Sequence, residues 1–136
     1  MTLSRPSVLF LCVHNAGRSQ MAAGFLRTRS DGEVGVQSAG SDPADVVNPS
    51  VVAVMAEKGI DIGNDVPRRW TDEMIRGVDV VVTMGCGDEC PVFPGVRYLD
   101  WDLDDPSGKS IDEVRPIRDA IERRVLDLIS ELVPDD

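Results

Sequence analysis

A cysteine, an arginine and a serine stand close together in the stretch VLFLCVHNAGRSQM of residues 8–21. Cys12 ends an apolar run, and after five intervening residues come Arg18 and Ser19. A thiolate is a strong nucleophile, and the planar guanidinium of an arginine binds a tetrahedral oxyanion through two parallel hydrogen bonds. The spacing therefore predicts a thiol nucleophile that faces an oxyanion-binding arginine.

The residues between Cys12 and Arg18 are expected to wrap around the anion. Their small side chains let consecutive backbone N–H groups point inward, and a helix that begins near Ser19 adds the partial positive charge of its amino end. The same field favours the thiolate form of Cys12. The predicted oxyanion-binding residues are Val13, His14, Asn15, Ala16, Gly17, Arg18 and Ser19. The alternative is a buried cysteine that ends a strand, with Arg18 on the surface.

An aspartate-proline pair, Asp105 and Pro106, lies in the loop sequence LDDPSGK. A carboxyl group held there can protonate a leaving oxygen as a general acid. Taken alone, Asp-Pro is typical of a turn, and Asp104 is an equally acidic neighbour.

Three cysteines occur in the chain, and an odd number argues against a framework of structural disulfides. Cys86 follows the apolar run DVVVTM, and Cys90 comes four residues later. Because both Cys12 and Cys86 end strand-like runs, parallel strands would bring them to one edge of a sheet. Zinc bound by the three cysteines and His14 is an alternative, but it would block Cys12 inside its own anion loop. We expect no metal.

Alternating strand and helix patterns predict a three-layer α/β domain with a parallel sheet. Strands are predicted at residues 8–13, 34–38, 79–84 and 96–99, which makes four. Asn48 and Pro49 are typical of a helix start, with Gly59 past the helix end. A last helix follows Ser110 and Glu113, a candidate capping box, although Pro116 leaves its start open.

The composition limits the classes of partner. The net charge of -10 argues against nucleic acid, which requires a basic face. No apolar stretch approaches the ~20 residues that span a bilayer, and no signal-peptide pattern is seen, so we expect a cytoplasmic protein without a membrane partner. With 136 residues, we expect 1–136 to form a single domain.

Five motifs follow one another as in a known superfamily: CVHNAGRSQMA from Cys12, SAG from Ser38, GIDI from Gly59, VVTMGC from Val81 and DDPSGK from Asp104. The chain resembles the low-molecular-weight tyrosine phosphatases and, more closely, their arsenate reductase branch. The resemblance implies a four-stranded parallel sheet flanked by helices. It also implies that Cys12 is the nucleophile, that Arg18 and the loop hold the oxyanion, and that Asp105 is the general acid.

Within this superfamily, the cysteines favour an arsenate reductase over a phosphatase. The three cysteines match those of the thioredoxin-coupled reductases, which implies that Cys86 attacks the arseno-cysteine and that Cys90 then takes over the disulfide. The tyrosine phosphatases tend to carry tyrosines where this chain has Ser107 and Gly108. The implied substrate is arsenate, and the implied electron donor is thioredoxin.

Alternatives stay open at this level. The Cys86–Cys90 spacing is shorter than in the better-known thioredoxin-coupled enzymes. An arsenate reductase that uses an external thiol such as mycothiol, with a mycoredoxin, would need only Cys12. A protein tyrosine phosphatase and an oxyanion-binding regulator without turnover are the other candidates. The resemblance suggests no organic cofactor, and Ala23 replaces the acidic residue of a potassium site known in some relatives, so we expect no ion there.

Overall fold

The computed structural model describes residues 5–85 and 92–133. Four strands and four helices follow the order β1 (Ser7–Cys12), α1 (Arg18–Arg29), β2 (Gly35–Gly40), α2 (Pro49–Ala56), α3 (Asp72–Arg76), β3 (Val80–Thr83), β4 (Arg97–Asp100) and α4 (Ile111–Leu132). The strands form one parallel sheet in the order β2-β1-β3-β4. This confirms the predicted fold class, a four-stranded parallel sheet flanked by helices.

The alternation of side chains along β1 divides the core into two layers. Val8, Phe10 and Cys12 belong to the larger cluster, which also contains the buried residues of α1, α2 and α4. Leu9 and Leu11 belong to the smaller cluster, beneath α3. Because β1 is central and buried on both faces, its sequence is a continuous apolar run.

The helix signals found in the sequence act as expected. The side chain of Asn48 accepts a hydrogen bond from Ser50 N at 2.9 Å and caps α2, with Pro49 as its first residue. Ser110 and Glu113 form the capping box that starts α4. Pro116 lies inside α4 and has no N–H to donate to the carbonyl four residues earlier. The helix continues through Pro116 because that carbonyl belongs to the exposed first turn of the helix.

A short helix and several boundaries differ from the sequence interpretation. Helix α3 was not predicted because five residues are too few for an apolar period to appear. Thr71 caps this helix through a hydrogen bond from Met74 N at 3.2 Å. Strand β2 extends to Gly40, two residues beyond the predicted end at Ser38. Among the described residues, no helix is long and apolar enough to cross a membrane.

Helix α2 is fastened to α4 by a group of charged side chains. Arg118 is 7% exposed; its Nη1 donates to Val54 O at 3.0 Å and to Glu57 Oε1 at 2.7 Å. Arg115 donates to the other oxygen of the same carboxylate at 2.7 Å. Hydrogen bonds from Arg115 first, and from Arg118 second, lower the pKa of Glu57 to about 2.

Candidate active site

Strand β1 delivers Cys12 to the carboxyl edge of the sheet. The residue is 3% exposed, and its Sγ lies 2.9 Å from Ser19 Oγ in the first turn of α1. A thiolate in this geometry accepts a hydrogen bond from the serine hydroxyl. The predicted nucleophile and the predicted helix start are therefore in contact.

The loop between β1 and α1, residues 13–17 (the anion loop), is fixed from its outer side. Backbone carbonyls at the start of the loop and near its end accept hydrogen bonds from the backbone that follows β2. The pairs are Cys12 O with Ser41 N at 3.2 Å, Val13 O with Asp42 N at 2.8 Å, His14 O with Ala44 N at 3.0 Å and Ala16 O with Asn48 N at 2.9 Å. In a planar trans peptide the next N–H points away from the carbonyl, so these bonds turn the N–H groups of residues 13, 14, 15 and 17 to the opposite, inner side.

Asn15 holds the turn of the anion loop. It is fully buried and adopts the left-handed conformation, with φ of 50°. Its Nδ2 donates to Ser19 Oγ at 2.7 Å, and its Oδ1 accepts from Arg68 N at 3.0 Å and from Gln20 Nε2 at 3.3 Å. Protein groups thus hold the Asn15 side chain in place, and its backbone N–H is the group turned toward the inner side of the anion loop.

Arg18 lies across the site with its guanidinium fixed on three sides. Nη1 donates to Leu103 O at 3.1 Å, and Nη2 lies 3.7 Å from Asp105 Oδ2. A Cβ at Gly85 would lie 2.9 Å from Nη1, so the guanidinium packs directly on the Gly85 backbone. Gly85 has a φ of +90°, which only a glycine adopts without strain.

The Asp-Pro pair closes the site from the loop after β4. Asp105 Oδ1 accepts a hydrogen bond from Ser107 N at 3.0 Å, while Oδ2 faces Arg18. Pro106 is buried against the anion loop, where a Cβ at Gly17 would lie 2.6 Å from Pro106 Cγ. The small residue at position 17 is therefore required for this close approach.

A cavity of about 220 Å³ opens above these groups. It is lined by Cys12, His14, Ala16, Gly17, Arg18, Ala44, Val46, Asn48, Pro49, Asp105, Pro106 and Ser107. Asp104 is absent from this lining and borders a separate depression with Lys109 and Glu113. The two neighbouring carboxylates thus differ in position, and Asp105 is the one that lines the same cavity as Cys12.

A known protein family matches most of the chain. The model of the family described as low molecular weight phosphotyrosine protein phosphatase matches residues 7–135. The chain belongs to this family.

Several relatives of the chain are named arsenate reductases. A Halobacterium salinarum protein named "Putative arsenate reductase" is 45% identical over 132 residues, with 93% of each chain covered. A Synechocystis protein named "Glutaredoxin arsenate reductase" is 35% identical, with 92% of this chain and 97% of the relative covered.

Solved structures that resemble this chain also include arsenate reductases. The thioredoxin-dependent arsenate reductase of Corynebacterium glutamicum has a TM-score of 0.82 and 43% identity. The alignment covers 93% of this chain but only 61% of that longer chain. A structure named as an arsenate reductase in the phosphate binding state has a TM-score of 0.83 and 34% identity, with 93% and 98% of the two chains covered. Within the phosphatase family, the chain groups with its arsenate reductase branch.

Two predicted site residues, Cys86 and Cys90, lie outside the described residues. The last described residues before them are Met84, whose N donates to Leu11 O at 2.7 Å, and Gly85 beside Arg18. Among residues 5–85 and 92–133, no group of three or more His, Cys, Asp or Glu side chains is placed to hold a metal.

Sequence reasoning missed the residues that support the anion loop from behind. Gly40 is one of them, since a Cβ there would lie 2.5 Å from Val13 O. Gln20 donates to Asn15 O at 3.1 Å, and Arg68 binds the Asn15 side chain through its backbone. The SAG motif marks Gly40, but backbone donors such as Arg68 N leave no signal in the sequence.

Proposed function

We propose that the protein reduces arsenate to arsenite, with Cys12 as the nucleophile and a Cys12/Cys86/Cys90 disulfide relay. The observation that carries the proposal is the meeting of Cys12, the inward-facing N–H groups, Arg18 and Asp105 around one cavity. The match to proteins named arsenate reductases supports the choice of arsenate as substrate.

In the first step, the Cys12 thiolate attacks arsenic, and an As–O bond breaks. The N–H groups of the anion loop and the Arg18 fork bind the arsenate oxygens, where a preorganised positive environment stabilises the transition state. Asp105 delivers a proton to the departing oxygen, which leaves as water. The product is arsenate bound to Cys12 through sulfur, with arsenic still pentavalent.

In the second step, the Cys86 thiolate attacks the Cys12 sulfur. The S–As bond breaks, its electron pair stays on arsenic, and arsenite leaves as the trivalent product. The two sulfurs, which have lost two electrons, form a Cys12–Cys86 disulfide. We assign this step to Cys86 because it comes three residues after the end of β3, the strand next to β1 in the sheet.

In the third step, Cys90 attacks Cys86 and frees the Cys12 thiolate. The disulfide then joins Cys86 and Cys90, and Cys12 is no longer bonded inside the narrow cavity, where a reducing protein has poor access to sulfur. Thioredoxin is the electron donor that we propose, because a relative at 43% identity is thioredoxin-dependent. We place the reaction in the cytoplasm, where thiols are kept reduced. Neither nucleic acid nor a membrane is a proposed partner, and the chemistry needs no cofactor.

Three serine variants test the relay. Reduced protein is mixed with one equivalent of arsenate, quenched, alkylated and analysed by peptide mapping, and turnover is measured with thioredoxin and its reductase. Cys90→Ser should release one arsenite, retain a Cys12–Cys86 disulfide and fail to recycle. Cys86→Ser should release none without an external thiol. Cys12→Ser is the control that removes all chemistry.

The alternative functions give different results in the same assay. Normal turnover of both Cys86→Ser and Cys90→Ser with mycothiol and mycoredoxin would replace the relay by the external-thiol mechanism. Efficient hydrolysis of phosphotyrosine together with no arsenite release would indicate a phosphatase.

A further inference from the structure

Residues 68–70, which we call the β2 clamp, run beside the last residue of β2. The backbone that follows this strand is the segment that fastens the anion loop. Strand β2 is at the edge of the sheet, and Arg69 pairs with Gly40 in an isolated parallel bridge. Gly40 N donates to Arg68 O at 2.8 Å, and Trp70 N donates to Gly40 O at 3.2 Å. The β2 clamp therefore covers the free edge of β2 at the point where this strand meets the active site.

The side chain of Arg69 continues this contact. Its Nη1 donates to Ser41 O, and its guanidinium lies over the Trp70 ring at 5.0 Å from the centroid. The aromatic face orients the guanidinium, and cation–π attraction stabilises it there. Arg69 thus presents a fixed positive charge to the carbonyl of Ser41.

That carbonyl belongs to the first of two peptide groups in a row. The C=O of Ser41 and the N–H of Asp42 form a single planar unit, and this N–H donates to Val13 O at 2.8 Å. The C=O of Val13 and the N–H of His14 form the second unit, whose N–H faces the inner side of the anion loop. The order is guanidinium, peptide 41–42, peptide 13–14 and then the oxyanion, with each N–H donating in the same direction.

A neighbouring row of two hydrogen-bonded peptides also leads to the anion loop, but it does not begin with a guanidinium. Trp70 N donates to Gly40 O, and Ser41 N of that peptide donates to Cys12 O at 3.2 Å. Its last N–H is that of Val13. Of these two rows, the one that ends at His14 begins with a cation, and the one that ends at Val13 begins with a backbone N–H.

We propose that Arg69 is a positioning residue for oxyanion binding, acting through peptides 41–42 and 13–14 on the His14 N–H. Hydrogen bonds in a row polarise one another, by roughly 10–30% per bond. A cation at the donor end therefore makes the His14 N–H a stronger donor and holds its direction. This inference rests on the proposed oxyanion site but not on the cysteine relay.

The test uses inorganic phosphate as a non-reacting oxyanion, with its Kd measured by calorimetry on reduced protein. Arg69→Met should weaken phosphate binding by about 3- to 10-fold, the net size of one ordinary hydrogen bond, because Arg69 acts on the anion through two peptides and not by direct contact. Arg69→Lys, which keeps the charge, should restore most of the affinity, and Arg69→Gln, which keeps only a neutral donor, should restore less. For arsenate, KM should rise more than kcat falls.

Arg76→Met is the matched control. Arg76 also stacks on an aromatic ring, with its Cζ 4.5 Å from the Phe93 centroid. The methionine variant therefore loses a contact comparable to the one that Arg69→Met loses. Its phosphate Kd should equal that of the wild type. Equal Kd values for Arg69→Met and Arg76→Met, or a lysine variant no better than the methionine variant, would overturn the proposal. If the wild type itself fails to bind phosphate, the oxyanion site is wrong and the proposed function falls with it.

Discussion

Replacing Gly40 by alanine should damage both stability and oxyanion binding, because the missing side chain leaves room for the anion loop. An added Cβ would lie 2.5 Å from Val13 O, 3.0 Å from Asn15 N and 3.1 Å from Cys12 O. Cβ atoms essentially never approach other heavy atoms within 3.0 Å, so the loop would have to move by about 0.5 Å. All three atoms belong to the backbone, and no side chain can rotate to relieve the contact.

The expected size follows from that displacement. Overpacking of this kind costs about 1–3 kcal/mol in the free energy of unfolding. A misplacement of ~1 Å can reduce the rate of a positioned reaction by ~10²-fold, so a shift about half as large should reduce kcat/KM by roughly 10-fold. Both effects should appear in Gly40→Ala.

Gly35→Ala provides a control on the same strand. Gly35 is the first residue of β2, and its nearest contact for an added Cβ is Ser7 Cβ at 3.5 Å, an ordinary packing distance. This variant should be neutral or stabilised by about 0.4–1 kcal/mol, because alanine restricts the unfolded chain. Urea titration followed by tryptophan fluorescence measures stability, and calorimetry with phosphate measures the site. If Gly40→Ala behaved like Gly35→Ala in both, the close packing of β2 on the anion loop would be refuted.

Two further predictions concern the acidic side chains. Asp105→Asn should slow the first chemical step by about 10²–10⁴-fold, the usual contribution of a general acid, whereas Asp104→Asn should change it much less; single-turnover rates decide, and the reverse ranking would reassign the acid. Because Arg115 and Arg118 lower the pKa of Glu57 from 4.5 to about 2, this carboxylate stabilises the fold above pH 4.5, and that stabilisation is lost as the pH falls toward 2. Glu57→Gln should therefore be less stable than the wild type at pH 6 and converge with it near pH 2 in urea titrations, and a constant difference across this range would contradict the linkage.

The carboxyl edge of the sheet brings the parts of the candidate site together. Parallel strands end at the same edge, so the segments after β1, β2 and β4 meet there, together with Gly85 after β3. The end of β1 supplies Cys12, the proposed nucleophile, the loop after β2 fastens the anion loop, and the loop after β4 brings Asp105. Each loop has a separate task, and no single motif contains the whole site.

Local signals in the sequence were sufficient for the four strands, for the three longer helices and for the strand–loop–helix around Cys12. The apolar run before Cys12, the cap at Asn48 and the capping box at Ser110 depend on neighbouring residues, and all three are confirmed. The strand–loop–helix around Cys12 and Arg18 was predicted for the same reason, since its chemistry lies within a few residues. The roles of Cys86 and Cys90 stay predictions.

The resemblance pointed to Asp105 and not to Asp104, but only the tertiary structure placed Asp105 at the cavity and revealed the support behind the anion loop. Arg68 N reaches Asn15 across 53 positions, and Pro106 reaches Gly17 from the loop after β4. Such contacts have no signature in the sequence. Every residue except proline has a backbone N–H, and every glycine lacks a Cβ, whether or not the position makes such a contact. The sequence therefore determined which groups could react, and the packing of distant segments decided which of them face one another.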